Sequence, residues 1–347
     1  MKNILIFTHR PEGHVVASRG VSRCFITIIL LLHTLVFDIH SMQKESARRA
    51  YKTNKAPDKN PDILHGLCNP GSSCYFNAVT QCLAALDGIR YCDEKSPDFL
   101  IQFNAIVSCL RTGRPVHDIL AESCFALQCA EIFENNTGQQ DAQQCFSGIF
   151  NLLPAGCKNY FEFCFKSSLT CKRCSRTRHC EEISTLVPLC LPSVLREDCD
   201  ATVTLKQLFE QFENPEKLTQ DNTVYCDNCK IKTRTTKRLS FARTRPKCLV
   251  IQLKRFYYSQ LEFTSITEPI PKKNNIPVII SSQINLGKDR YRLKAIVYHS
   301  GSLASGHYVA RVQKNGQWFY CNDEWVVPKL KPTKDFSPYM LFYCLPA

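Results

Sequence analysis

Two Cys-x-x-Cys pairs, Cys171-Lys172-Arg173-Cys174 and Cys226-Asp227-Asn228-Cys229, constrain this chain more than any other feature. To share one ion, two short turns more than fifty residues apart must be brought to a single point. Thiolates with two residues between them can both reach a metal at about 2.3 Å, and four of them make a closed tetrahedral zinc site. The separation is too long for a self-contained finger. It suits two knuckles at the tips of β-hairpins in a larger subdomain, so Cys171, Cys174, Cys226 and Cys229 are candidate ligands of a structural Zn2+. Free thiols, or a redox pair, are the alternatives. A site closed by four sulfurs has no open position for chemistry, and Cys180 is a poor fifth candidate.

The remaining cysteines bound the compartment. There are 21, an odd number, and many sit in apolar runs such as Phe163-Cys164-Phe165 and Leu189-Cys190-Leu191, where a thiol packs as a small hydrophobe. No disulfide framework is visible, so a reducing compartment, cytoplasmic and/or nuclear, is expected. With 347 residues, 44% of them apolar and 22% charged, the chain can bury one large core or two ordinary ones, which excludes wholesale disorder.

The net charge of +13 invites a nucleic-acid reading, but residues 1–60, with ten Lys/Arg against four Asp/Glu, supply nearly half of it. The basic stretch from Lys230 to Arg238 lacks interleaved aromatics and reads as a solvated β-ribbon, so no nucleic-acid partner is expected. Residues 24–37 form an apolar run after Arg19 and Arg23. At 14 residues it falls short of the roughly 20 needed to span a bilayer, contains His33 and lacks a small-x-small cleavage site, so a membrane anchor is not favoured. Residues 41–63 read as a polar, basic linker, and residues 1–64 as lying outside the core.

Between Gly66 and Leu86 a turn becomes a helix. Pro70 and Gly71 punctuate the chain, Ser72 or Ser73 offers an N-cap, and apolar side chains then recur at helical spacing until Asp87-Gly88. Cys74 falls in the first turn, where unpaired amides and the positive end of the helix dipole favour a thiolate and can face an oxyanion. Far downstream, Tyr291–Gly301, Ser305–Val312 and Gln317–Asp323 read as successive strands. A hairpin through Lys314-Asn315-Gly316 would set His307 beside Asn322, a base beside its orienter.

The cysteine box Gly66–Leu83, the run Gln139-Gln140-Asp141-Ala142, the Leu253-Lys254-Arg255-Phe256 element and the histidine box Tyr291–Asp323 together resemble the ubiquitin-specific protease family over residues 65–347. The resemblance implies an α+β, papain-like cysteine protease with a helical thumb at about 65–160, zinc-ribbon-like β fingers at about 161–250 and a β-sheet palm at about 245–347. It implies a cysteine-type deubiquitinase or ubiquitin-like-modifier isopeptidase, with ubiquitin or a ubiquitin-like modifier and its protein conjugates as partners. No catalytic cofactor is expected, and the chain should act as a monomer. Cys74 matches the nucleophile, His307 the general base, Asn322 the third triad member, Asp323 a second acidic position that supports the histidine, and Asn69 the side chain that helps bind the oxyanion. Asp141, His299 and Tyr308 match positions lining the substrate tail, with a capped surface histidine as the alternative for His299.

The chain also departs from the pattern. Ser72-Ser73 replaces the usual Asn-Thr, and Gln144-Cys145 replaces a glutamate and an aromatic, removing a negative charge near the expected path of the tail. A catalytically weak modifier-binding scaffold is the alternative these changes raise. The compact length resembles small members acting on the interferon-induced two-lobed modifier.

Overall fold

In the computed structural model the described residues are 64–192, 202–242, 245–257, 272–302 and 305–346. The apolar run 24–37 and the linker 41–63 lie outside them. Among the described residues no helix is long and apolar enough to cross a membrane.

The helical part begins with α1 (Cys74–Ala84), followed by α2 (Asp98–Thr112), α3 (Asp118–Ile132), α4 (Ala142–Leu152) and the short α5 (Ala155–Lys158). Every residue of α1 is buried, because the helix is wedged between α2 and α4 on one side and the sheet on the other. Phe76 projects from it into an aromatic cluster with Phe99, Phe103 and Phe125. Arg111 then closes its far end: Nε donates to the Ala84 carbonyl at 3.0 Å, Nη2 to Leu86 at 2.5 Å and Nη1 to Ile89 at 2.6 Å. A cation there satisfies the orphan carbonyls and faces the negative end of the dipole.

The sheet elements are β1 (Phe163–Cys171), β2 (Thr177–Ser184), β3 (Leu186–Cys190), β4 (Thr235–Phe241), β5 (Cys248–Lys254), β6 (Asp289–Gly301), β7 (Gly306–Lys314), β8 (Gln317–Asn322), β9 (Trp325–Pro328) and β10 (Ser337–Cys344). The large sheet runs β9-β8-β7-β6-β10-β5-β3, with only the β3–β5 pair parallel. Alternation along its strands divides the core in two. Ala295, Val297, Ala310, Val312, Met340 and Phe342 face the helices, while Ile296, Leu341, Tyr343, Leu249 and Ile251 form the second cluster.

A smaller sheet, β2-β1-β4 with Glu216–Leu218 at its edge, carries the first Cys-x-x-Cys at the tip of the β1–β2 hairpin. The second Cys-x-x-Cys closes the hairpin of Val224–Cys226 with Ile231–Thr233. Arg255 ties the large sheet together from inside. Its guanidinium is fully buried and donates to the carbonyls of Pro338 (2.6 Å), Asn274 (2.9 Å) and Ile276 (3.1 Å), and burial pulls its pKa down to about 10.

Candidate active site

Cys74 is the first residue of α1, so its amide has no acceptor within the helix. The preceding turn is organised differently from the sequence-based expectation. Ser73 occupies the N-cap position but its hydroxyl makes no cap; it is buried and donates instead to Asn69 Oδ1 at 3.2 Å. Asn69 Oδ1 also accepts from the Gly71 amide (3.0 Å) and the Ser73 amide (3.2 Å). The side chain that shapes the turn is therefore Asn69, five residues before the thiol. A serine at 73 cannot reach forward because the chain there has φ −87° and ψ 4° rather than the extended backbone of a capping residue.

The histidine arrives as expected. β7 and β8 pair through the Asn315-Gly316 loop, whose φ values of 49° and 77° are the left-handed pair of a tight two-residue hairpin. This sets Asn322 Oδ1 2.6 Å from His307 Nε2. The amide oxygen fixes that nitrogen as the N–H bearer and leaves Nδ1 for the thiol. The His307 pKa is raised to about 9, first by its hydrogen bond with Cys74 and further by Asn322 and the nearby Asp323 carboxylate, against the opposing pull of burial.

Asp323 joins the two halves. Its Oδ2 accepts from Asn69 Nδ2 at 2.8 Å and lies 4.0 Å from His307 Nε2, and its Oδ1 accepts from Asn77 Nδ2 at 2.8 Å. Asn77 also donates to the Cys68 carbonyl at 3.0 Å, and the Leu67 amide donates to the Asp323 carbonyl at 2.9 Å. A Cβ on Gly66 would come within 2.2 Å of the Glu324 carbonyl oxygen, so only glycine admits this approach of turn to turn. Asn77 was not singled out from sequence. Only the fold reveals it, as a polar residue one turn after Cys74 on a helix with no exposed face.

The candidate tail residues gather on the other flank. Asp141 is the N-cap of α4, its Oδ1 accepting from the Gln143 and Gln144 amides at 2.7 and 3.1 Å, and its Oδ2 accepts from Tyr339 Oη at 2.5 Å. Burial raises its pKa. His299 and Tyr308 are cross-strand partners with ring centroids 4.5 Å apart. His299 is buried against Phe256 and Tyr339, which removes the surface alternative, and burial pulls its pKa down to about 3. Gln139, also missed from sequence as a contact, accepts from the Gly306 amide at 3.1 Å and so links the helical part to the start of the histidine strand. Gln144 is exposed and Cys145 is buried.

The four knuckle sulfurs lie within 4.8 Å of one another, with Cys174 to Cys226 at 3.7 Å and Cys171 to Cys229 at 4.0 Å. A tetrahedral ion with sulfur at about 2.3 Å requires sulfurs about 3.8 Å apart, so the donor set fits zinc. The Thr233 hydroxyl lies 3.3 Å from the Cys171 sulfur. Cys180 is exposed on β2, outside the cluster. In the adjoining basic stretch Thr233 and Thr235 are buried while Lys232 and Arg234 face solvent, the alternation of a β-ribbon.

A family model described as ubiquitin carboxyl-terminal hydrolase matches residues 65–343. Among curated proteins, ubiquitin carboxyl-terminal hydrolase 21 of Rattus norvegicus is 32% identical over 184 residues, covering 52% of this chain and 32% of that protein. Ubiquitin carboxyl-terminal hydrolase 2 of Bos taurus is 26% identical over 343 residues, covering 82% of this chain and 55% of that protein. The chain thus spans about a third of the first relative's length and little more than half of the second's. Among solved structures, a SAGA DUB module containing Ubp8, bound to monoubiquitin, aligns with a TM-score of 0.66 at 24% identity, covering 85% of this chain and 72% of that one. That likeness shows a shared fold.

Proposed function

Because the chain belongs to the ubiquitin carboxyl-terminal hydrolase family, as one of its ubiquitin-specific proteases, we propose that it is a thiol hydrolase that cleaves the isopeptide or peptide bond after the C-terminal glycine of ubiquitin or a ubiquitin-like modifier. The observation that carries this reading is a single imidazole engaged on one side by Cys74 and on the other by Asn322.

The residues suit each step. Cys74 Sγ attacks the glycine carbonyl carbon with the proton already held on His307 Nδ1, and Asn322 keeps the ring in register. The carbonyl oxygen becomes an oxyanion, received by the Cys74 amide and by the Asn69 Nδ2 hydrogen that Asp323 does not hold. His307 then gives its proton to the leaving amine as the C–N bond breaks, leaving a thioester on Cys74. Water, deprotonated by the same imidazole, releases the modifier and restores the free cysteine. Zinc bound by Cys171, Cys174, Cys226 and Cys229 would lock the two finger hairpins together and take no part in these steps.

The neutral, exposed Gln144 leaves the modifier's basic tail without one expected carboxylate, so the choice between ubiquitin and a ubiquitin-like protein is the finer question. The thiol-rich composition supports a cytoplasmic or nuclear setting. The test is reaction of the full chain with C-terminal electrophilic probes made from ubiquitin and from ubiquitin-like modifiers. Covalent labelling lost in C74A is expected; no labelling by any of them would overturn the proposal.

A further inference from the structure

We propose that Trp325 forms an acceptor-side platform, packing against the modified lysine and adjoining residues of the protein from which the modifier is removed. This inference rests on the isopeptidase reading above and assigns the half of the cleft which that reading leaves empty.

Strand order supplies the direction. His307 lies on β7. On one side of it are β6 with His299 and β10 with Tyr339, the latter bonded to Asp141, which together form the candidate tail-binding flank. On the other side are β8 with Asn322 and β9 with Trp325. With the candidate tail residues on the β10 and β6 side of His307, the acceptor beyond the scissile bond is assigned to the β8 and β9 side. Trp325 lies on that side: it is the direct cross-strand partner of Asn322, which bonds His307, so the two side chains share a face with Cβ atoms about 4.5–5.5 Å apart.

The residue is built for contact. Its side chain is 58% exposed, although it sits two residues from Asp323, and Tyr320 braces it edge-on with centroids 6.1 Å apart. A large, rigid, exposed indole beside a reactive centre is the kind of anchor that recognition surfaces use. A lysine side chain matches it in chemistry: an aliphatic stem lies on an aromatic face, and a cationic end is attracted to it. The exposed Glu324 immediately before Trp325 adds charge complementary to a lysine side chain. The 323–324 turn is itself fixed against Gly66, so the platform does not need to be ordered on binding.

The experiment compares two reactions of the full chain. One is covalent labelling by a ubiquitin C-terminal electrophile, which has no acceptor chain. The other is cleavage of ubiquitin joined through an isopeptide bond to a lysine peptide flanked by basic residues. W325A should lower kcat/KM on the peptide conjugate about tenfold, the scale of losing one aromatic contact with a cationic side chain, and leave probe labelling within about twofold of wild type. W325F should recover most of the loss. Equal rates of wild type and W325A on the conjugate would overturn this inference alone, as would equal losses in both reactions, which would make the residue structural. A wild-type chain that neither labels nor cleaves would overturn the isopeptidase reading itself.

Discussion

The proton on His307 sets the working pH range. Cys74 is the first cause holding that imidazole at about 9 instead of its ordinary 6.5, so hydrolysis should fall on the alkaline limb as pH rises through about 9. Stability follows with a definite sign. A base whose pKa is raised in the fold favours the folded state fully below about pH 6.5, and that contribution is lost as pH rises through about 9. C74A removes the principal cause, so its melting temperature should depend less steeply on pH across that window, and its hydrolysis should be at least about 10³-fold lower. His299 acts at the other end. Held down to about 3, it must take up a proton in the unfolded chain first, so stability should also decline as pH falls below about 6.5. Asn77 is a positioning residue: N77A frees one oxygen of the carboxylate that aims Asn69, and should reduce kcat on the order of 10²-fold with KM little changed, since small misplacement of a reacting group is expensive. A fall in KM-dependent rate alone would refute that role.

Among the elements, the approach of the Gly66–Asn69 turn to the 323–324 turn governs whether nucleophile and orienter belong to one site. G66A puts a methyl 2.2 Å from a backbone carbonyl that cannot swing aside, so the variant should lose about 1–3 kcal/mol in denaturant unfolding and more activity than stability. The Asn315-Gly316 hairpin loop works at a distance: its two left-handed residues hold the register that faces His307 with Asn322. Arg111 and Arg255 show a shared device, a buried or half-buried guanidinium spent on backbone carbonyls, one ending α1 and the other fastening residues 274–276 to the start of β10.

For the whole molecule, the described finger hairpins meet at the four sulfurs, at the exposed Arg178–Asp227 ion pair and where the Lys172 amide donates to the Arg234 carbonyl, with a modest apolar core at their base around Phe163, Phe165 and Phe241. Zinc should therefore supply much of their local stability. Purified protein should carry about one zinc per chain by elemental analysis, and chelation should lower the melting temperature and increase proteolysis at the fingertips before the helical part is cut. Metal-free protein with unchanged melting would exclude that contribution.

Much of this was legible before any coordinates. Cys74 at a helix head, the strand–hairpin–strand that brings His307 to Asn322, and the paired knuckles are local patterns, written in turn chemistry, periodicity and short spacings that neighbours in the chain enforce. What distant segments do to one another was not legible. That Asn77 and Asn69 share one carboxylate, and that His299 is buried against Phe256 and Tyr339, depend on contacts across the chain, some spanning about 250 residues. Sequence patterns set which face of an element is apolar; packing alone decides which polar side chains those faces bring within reach of each other, because a hydrogen bond or a clash is settled over tenths of an ångström that no periodicity encodes.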